Sequence, residues 1–286
     1  MKRTIGVNTW VWTSPLTDET LAELAPKIAR MGFGAVELPL ENAGDWDAGR
    51  TRDLLGGLGL EPVVIGAMGP GRSLVDRAGN VPATQQYLRT CMAAARVVGA
   101  SVVAGPFYAP TGVTWRMTPA ERDEVVAQLR RNLRPLVDEA EDMGVTLGVE
   151  PLNRYETSVV NTVAQGLQAL GPLLGRGLGL ALDTYHLNIE EKRPDAAIRA
   201  AAGHIAHVQV CGSDRGIVGD DHTDWPATLA ALDDAGYEGI LGLESFTGEN
   251  ATIAVAASVW RPLAASQDEL ATRSLQYLTE LQSAHR

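Results

Sequence analysis

Four side chains able to bind a metal ion follow four successive apolar segments in the second half of the chain. The segments are GVEPLNRYE, ALDTYH, HVQVCGSDR and GLESF, and the four residues are Glu150, Asp183, Gln209 and Glu244, spaced by 33, 26 and 35 residues. An acid at the end of a buried segment is unfavourable unless it meets a cation or a hydrogen-bond donor. Three carboxylates brought together repel one another, and a divalent ion relieves that repulsion. The pattern predicts a metal site, whereas each acid taken alone is equally typical of an ion pair with Arg or Lys.

Eight short runs rich in Val, Ile, Leu and Gly alternate with amphipathic stretches. The runs cover residues 4–10, 34–40, 61–68, 101–108, 146–152, 178–187, 204–211 and 239–246. Helical periodicity covers residues 17–31, 84–98, 118–143, 225–235 and 267–283. Buried strands alternating with helices predict parallel pairing throughout. We therefore predict an α/β fold, a single-domain (β/α)8 TIM barrel over residues 1–286 with a C-terminal loop and helix extension at 247–286.

A barrel of this kind brings the ends of neighbouring strands to one mouth, so the four side chains are expected to converge there. Two long loops, 211–225 and 247–266, are expected to rise from the same face. The first strand is followed by neither a GxGxxG pattern nor a P-loop, which disfavours a dinucleotide-binding sheet.

The composition limits the partners that we expect. The chain has 24 Lys and Arg against 35 Asp and Glu, a formal net charge of −11, and this disfavours nucleic acid and anionic membranes as partners. Two cysteines, Cys91 and Cys211, make no disulfide framework, so a reducing compartment is expected. The start, MKRTIGVNTWVW, is too short and too polar for a signal sequence. We predict a soluble cytoplasmic protein.

Five motifs together resemble the xylose-isomerase-like sugar isomerases and epimerases, in particular the ketose 3-epimerases that act on D-tagatose, D-psicose (allulose) and L-ribulose. The motifs are VEPLNRYET, LDTYHLN, HVQVCGSDRGIVG, LESF and VWRPLA. The resemblance covers nearly the whole chain, and it is most specific in the first two motifs. It implies epimerisation of a free ketose at C3 by one divalent metal ion, in a homodimer or homotetramer.

The resemblance also implies roles for individual residues. Family metal ligands fall on Glu150, Asp183, Gln209 and Glu244. The two glutamates of this set are the family's acid–base pair, on opposite faces of the substrate's C3. Residues that contact the sugar in the family fall on Glu156, His186 and Arg215.

The chain departs from the family at Gln209, where the family has histidine. As a ligand, the Gln209 amide oxygen would make an all-oxygen site, which favours Mn²⁺ or Mg²⁺ over Zn²⁺, with Co²⁺ as an alternative. A role behind the ligands, acting through water, is the other interpretation. The nearby His207 is expected one layer deeper, as a barrel-core residue.

Three other functions stay open at this point. A metal-dependent lyase, dehydratase or isomerase acting on a 3-oxo-glycoside or an inosose would use the same deprotonation next to a ketone. An abasic-site nuclease is disfavoured by the five histidines and the negative charge. A non-catalytic subunit with a decayed site would follow if Gln209 has lost the metal.

A phosphorylated substrate is disfavoured by the acids of the first long loop, which are Asp214, Asp220, Asp221 and Asp224.

Overall fold

The barrel is closed and all-parallel. The computed structural model describes residues 2–75 and 80–284. The strands pair in chain order and the last closes on the first. They are β1 (Ile5–Asn8), β2 (Ala35–Leu40), β3 (Glu61–Gly66), β4 (Val102–Gly105), β5 (Thr146–Val149), β6 (Leu178–Asp183), β7 (Ile205–Val210) and β8 (Leu241–Leu243). The predicted (β/α)8 barrel is confirmed. Met1, which opens the predicted domain, and residues 285 and 286, at the end of the predicted extension, lie outside the described residues.

Helices cover the outside of the barrel. They are α1 (Asp18–Met31), α2 (Ala48–Leu58), α3 (Val81–Val98), α4 (Pro119–Met143), α5 (Val163–Leu170), α6 (Thr184–Glu190), α7 (Pro194–Ala200), α8 (Trp225–Asp234), α9 (Ala251–Ala256) and α10 (Gln267–Ala284). All five predicted helices are present. Thr17 and Thr118 make capping boxes that begin α1 and α4, because each side chain accepts from the third helical backbone N–H.

The sequence prediction is wrong in two places near the barrel mouth. Residues 184–187 are helical rather than part of a strand, because the Asp183 side chain accepts from the backbone N–H of Tyr185 at 2.9 Å and begins α6. The segment 247–266 is not all loop, since Asn250 caps α9 within it. Periodicity also missed α2, α5 and α7, of which the last two have only eight and seven residues.

Strand register aligns the polar residues of the barrel interior. Asp183 pairs with Gln209 across β6 and β7, and Gln209 pairs with Gly242 across β7 and β8. Beyond β8 the barrel continues with β1, and Asn8 pairs with Glu37 across β1 and β2. The Glu37 side chain needs a glycine at position 242, since a Cβ there would lie 1.5 Å from Glu37 Oε1. The interior at this level therefore accommodates a polar network.

None of the helices within residues 2–75 and 80–284 combines the length with the hydropathy that crossing a bilayer would require.

Candidate metal centre and active site

The four predicted metal-binding side chains all lie buried at the C-terminal ends of their strands. Glu150 directly follows β5, Asp183 ends β6, and Glu244 directly follows β8. Gln209 is the last residue but one of β7, and its Nε2 donates to Glu244 Oε1 at 2.8 Å. The convergence predicted from the spacing of these residues is thus found in the structure.

Arg215 bridges two of the acids. Its Nη1 donates to Asp183 Oδ2 at 2.9 Å and to Glu244 Oε2 at 2.6 Å. The guanidinium lies 3.8 Å from the Tyr185 ring centroid and 5.0 Å from that of Phe246. A positively charged group therefore sits between two buried carboxylates, which is the position where the centre most needs a cation.

His186 lies in the first turn of α6 and reaches the third acid, Glu150, as well as Asp183. Its Nδ1 accepts from the backbone N–H of Asn153 at 3.0 Å, so the proton of the neutral ring is on Nε2. That nitrogen lies 3.5 Å from Glu150 Oε1 and 3.6 Å from Asp183 Oδ2. Burial lowers the pKa of His186 well below its ordinary value, and the Arg215 charge lowers it further. His186 is therefore a neutral donor facing the centre.

Glu156 belongs to the same group of side chains. It is half-buried, and its Oε1 accepts from Asn153 Nδ2 at 2.8 Å. Burial raises the pKa of Glu156, while the Arg215 charge lowers it. Because Asn153 contacts both Glu156 and His186, it fixes their relative position. The three predicted sugar-contacting residues, Glu156, His186 and Arg215, thus lie around one space, and their roles stay predictions.

The chemistry of the donor set suits a divalent cation. Burial raises the pKa of Glu150 well above its ordinary value, and the charges of Glu244 and Asp183 raise it further. Burial also raises the pKa of Glu244, although the Arg215 charge opposes this. Among the described residues, two overlapping groups offer ligand atoms within 4.8 Å of one another: Glu150, Asp183 and His186, and Asp183, Cys211 and Glu244. Buried oxygen donors that repel one another match the requirement of a hard or borderline metal ion.

The pH dependence of stability follows from these shifts. A carboxyl whose pKa is higher in the folded protein than in the unfolded chain stabilises the fold at low pH, and this stabilisation is lost as pH rises above about 4.3. The pKa values of Glu150 and Glu244 are raised in this way, so the metal-free protein should unfold at lower temperature as pH rises above about 4.3. A divalent ion binds the ionised forms, so its stabilising effect should grow over the same range.

Thermal unfolding with and without Mn²⁺ at several pH values measures this effect. The double variant Glu150→Gln and Glu244→Gln is the control and should show a weaker pH dependence. A metal-induced shift in unfolding temperature that is the same at every pH would contradict the assignment.

Glu37, which the sequence analysis did not single out, supports the centre from below. It is fully buried in β2. Its Oε2 accepts from Asn8 Nδ2 at 2.9 Å and from Gln209 Nε2 at 3.0 Å, and its Oε1 lies 2.7 Å from His207 Nε2. His207 is thus a hydrogen-bonded core residue, as predicted. The signal for Glu37 was present in the sequence, because AVELPL places an acid inside a buried run.

Replacing Glu37 by Ala should remove one acceptor from each of three buried side chains, Asn8, His207 and Gln209. We expect the free energy of unfolding to fall by about 3 kcal/mol or more. Urea denaturation measures this loss. Glu23→Ala, on the exposed face of α1, is the matched control and should change stability by less than about 0.5 kcal/mol. Equal stability of the two variants would show that the network contributes nothing.

A closed (β/α)8 barrel whose mouth gathers buried carboxylates around a cationic group defines an enzyme-type centre at the C-terminal face of a TIM barrel. The family model described as xylose isomerase-like TIM barrel matches residues 25–280. The chain therefore belongs to the xylose isomerase-like TIM barrel family.

Several relatives of this chain are ketose 3-epimerases by name. The chain is 31% identical to an L-ribulose 3-epimerase of Mesorhizobium japonicum over 278 residues, which cover 96% of this chain and 92% of the relative. A solved structure of an L-ribulose 3-epimerase is 28% identical, with a TM-score of 0.90, and covers 100% of this chain and 96% of the other. A D-allulose 3-epimerase of Methylomonas sp. in complex with D-allulose is 27% identical, with a TM-score of 0.86 and coverage of 98% and 97%.

Proposed function

We propose that the protein is a metal-dependent ketose 3-epimerase, which inverts the configuration of a free ketohexose or ketopentose at C3. One observation carries the proposal: two buried glutamates, Glu150 after β5 and Glu244 after β8, face one centre that holds a positive charge. This arrangement occurs in a chain that aligns over nearly its whole length with an L-ribulose 3-epimerase.

Glu150, Asp183 and Glu244 are proposed as oxygen ligands of the divalent ion. The bound ion would act as a Lewis acid that makes the proton on the carbon next to the ketone more acidic. Mn²⁺ or Mg²⁺ is the expected ion for a donor set made only of oxygens. The sequence predicts Gln209 as the fourth ligand. The identity of this ligand decides whether all the ligands are oxygens.

Glu150 and Glu244 are proposed as the acid–base pair. One carboxylate removes the C3 proton from one face of the sugar, and the carboxyl of the other returns a proton to the opposite face. Burial raises the pKa of both residues, so one of the pair can hold a proton while the other is ionised. The two side chains come from strands that are not neighbours, which supports their approach from different sides.

Glu156, His186 and Arg215 are proposed to bind the sugar hydroxyls. His186 offers its Nε2–H, Arg215 offers guanidinium N–H groups, and Glu156 offers a carboxylate acceptor. Two acids of the loop after β7, Asp214 and Asp220, form ion pairs with Arg261 and Arg273. These two arginines are thus paired with carboxylates, and we propose a substrate without phosphate.

A ketose panel tests the proposed function. The metal-loaded protein is incubated with D-allulose, D-fructose, D-tagatose and L-ribulose, and the sugars are separated to detect C3 epimers. The proposal requires turnover of at least one ketose. A parallel panel of 3-oxo-glycosides and inososes tests the elimination alternative, which the unusual Gln209 keeps open. If elimination products formed without any epimer, the protein would be a lyase or dehydratase rather than an epimerase.

We also propose that the protein is cytoplasmic and forms a homodimer or homotetramer. Large side chains are exposed in the loops at the C-terminal face, where Tyr155 and Trp260 are 74% and 72% exposed. Light scattering after size-exclusion chromatography measures the mass in solution, and a monomer would contradict this part of the proposal.

A further inference from the structure

Gln209 is engaged as a hydrogen-bond donor in this structure. Its Nε2 donates to Glu37 Oε2 at 3.0 Å and to Glu244 Oε1 at 2.8 Å. The opposite orientation of the amide would place its oxygen against two carboxylate oxygens. Because Glu37 is itself held by Asn8 and His207, the donor orientation is enforced from below. The side chain at the family's histidine position therefore presents hydrogens, rather than a lone pair, toward Glu244.

Cys211, two residues after Gln209, offers another side-chain atom that could bind a metal ion. Cys211 directly follows β7, so it lies nearer to the barrel mouth than Gln209. It is fully buried. Its Sγ and the carboxylate oxygens of Asp183 and Glu244 all lie within 4.8 Å of one another.

The Arg215 guanidinium lies between the three possible ligand atoms of Cys211, Asp183 and Glu244. Its Nη1 lies 2.9 Å from Asp183 Oδ2, 2.6 Å from Glu244 Oε2 and 3.4 Å from Cys211 Sγ. The Nε of Arg215 is buried and has no hydrogen-bond partner within the part of the chain that the structure describes. A buried donor without a partner is unfavourable, so the Arg215 guanidinium is not fully hydrogen-bonded where it lies.

The backbone at Cys211 is fixed next to Asp183. Thr184 Oγ1 donates to the carbonyl oxygen of Cys211 at 2.8 Å and accepts from its N–H at 2.8 Å. Because Thr184 directly follows Asp183, this pair of hydrogen bonds sets the offset between the carboxylate and the thiol. The three donors are thus held together before any ion binds.

We propose that Cys211 supplies a sulfur ligand to the metal centre, together with Asp183 and Glu244, while Gln209 positions Glu244 by hydrogen bonding. The inference rests on the metal centre of the proposed function, but not on its ketose chemistry. On binding, the thiol releases its proton to solvent and the thiolate forms the bond to the ion. A sulfur ligand shifts the preference from Mg²⁺ and Mn²⁺ toward Zn²⁺ and Co²⁺.

X-ray absorption of the Zn²⁺-loaded protein tests the proposal directly. A Zn–S distance of about 2.3 Å is expected in the unmodified protein and in the control Cys91→Ser, which changes the other buried thiol. Cys211→Ser and Cys211→Ala should show only the shorter Zn–O and Zn–N distances of about 2.0–2.2 Å. Gln209→Leu should keep the sulfur signal.

Calorimetry on the same proteins separates the possible failures. In Cys211→Ser the Zn²⁺ dissociation constant should rise about 100-fold or more, because even groups behind the ligands contribute about 10–100-fold. Mg²⁺ binding should be unchanged. Zn²⁺ bound at one site per chain without a sulfur neighbour would overturn the role of Cys211 and leave the carboxylate centre intact. Failure of the folded protein to bind Zn²⁺, Mn²⁺ or Mg²⁺ would overturn both the centre and this inference.

Discussion

The single variants Glu150→Gln and Glu244→Gln should each abolish exchange of the C3 proton with solvent. The amide keeps the size of the side chain and an oxygen donor, but it neither accepts the C3 proton nor holds one to return. General acid–base catalysis contributes about 10²–10⁴-fold per group, so we expect turnover to fall by about 10²-fold or more. The measurement is epimer formation on the best ketose of the panel, together with deuterium incorporation in heavy water.

Two controls make this result specific. Glu124→Gln, on the exposed face of α4, should leave turnover unchanged. Calorimetry should show that both active-site variants still bind the metal ion, so that lost activity is not lost metal. If either variant kept more than about a tenth of the turnover while binding metal normally, that glutamate would not be half of an acid–base pair.

Removing the metal with a chelator should have a comparably large effect. A Lewis acid contributes several kcal/mol of transition-state stabilisation, which corresponds to a loss of about 10²–10⁴-fold in rate. Activity should return when the ion is added back. The ion should also stabilise the fold, by about 2.7 kcal/mol at a concentration 100 times its dissociation constant.

Asp183→Asn is the matched variant for metal removal. Asp183 contacts Arg215 and caps α6 through Tyr185, and an Asn side chain can keep the cap while losing the charge. We expect the variant to fold, to bind the ion more weakly and to need more metal for half-maximal activity. Full activity of the chelated protein, with the metal content checked by elemental analysis, would contradict the proposed centre.

The barrel and the position of its centre followed from the sequence because both depend on simple spacing. Buried strands recur at intervals of one strand–helix unit, and the acids at their ends must meet at one mouth when the strands are parallel. The helices that periodicity missed are short or begin at side-chain caps. The segment LALDTYHL is an example: it is apolar enough to be predicted as one strand, but the Asp183 carboxylate caps α6 and ends the strand there.

The contacts within the centre needed three-dimensional information. Arg215 lies 32 residues from Asp183 in sequence, and only the folded loop after β7 brings its guanidinium onto the acids. The orientation of the Gln209 amide depends on Glu37, which is 172 residues away. Cys211 was visible in the sequence as one of two cysteines. Its position beside Asp183 and Glu244 depends on the register at which β7 leaves the barrel.

One experiment in heavy water tests the central claim most directly. The metal-loaded protein is mixed with a ketose that it converts, and substrate and product are analysed by NMR early in the reaction. Proton transfer by Glu150 on one face and Glu244 on the other predicts a C3 epimer that carries one deuterium at C3, while the recovered substrate is still mostly protonated. An epimer that keeps the original hydrogen at C3, or deuterium found only at another carbon, would contradict the mechanism.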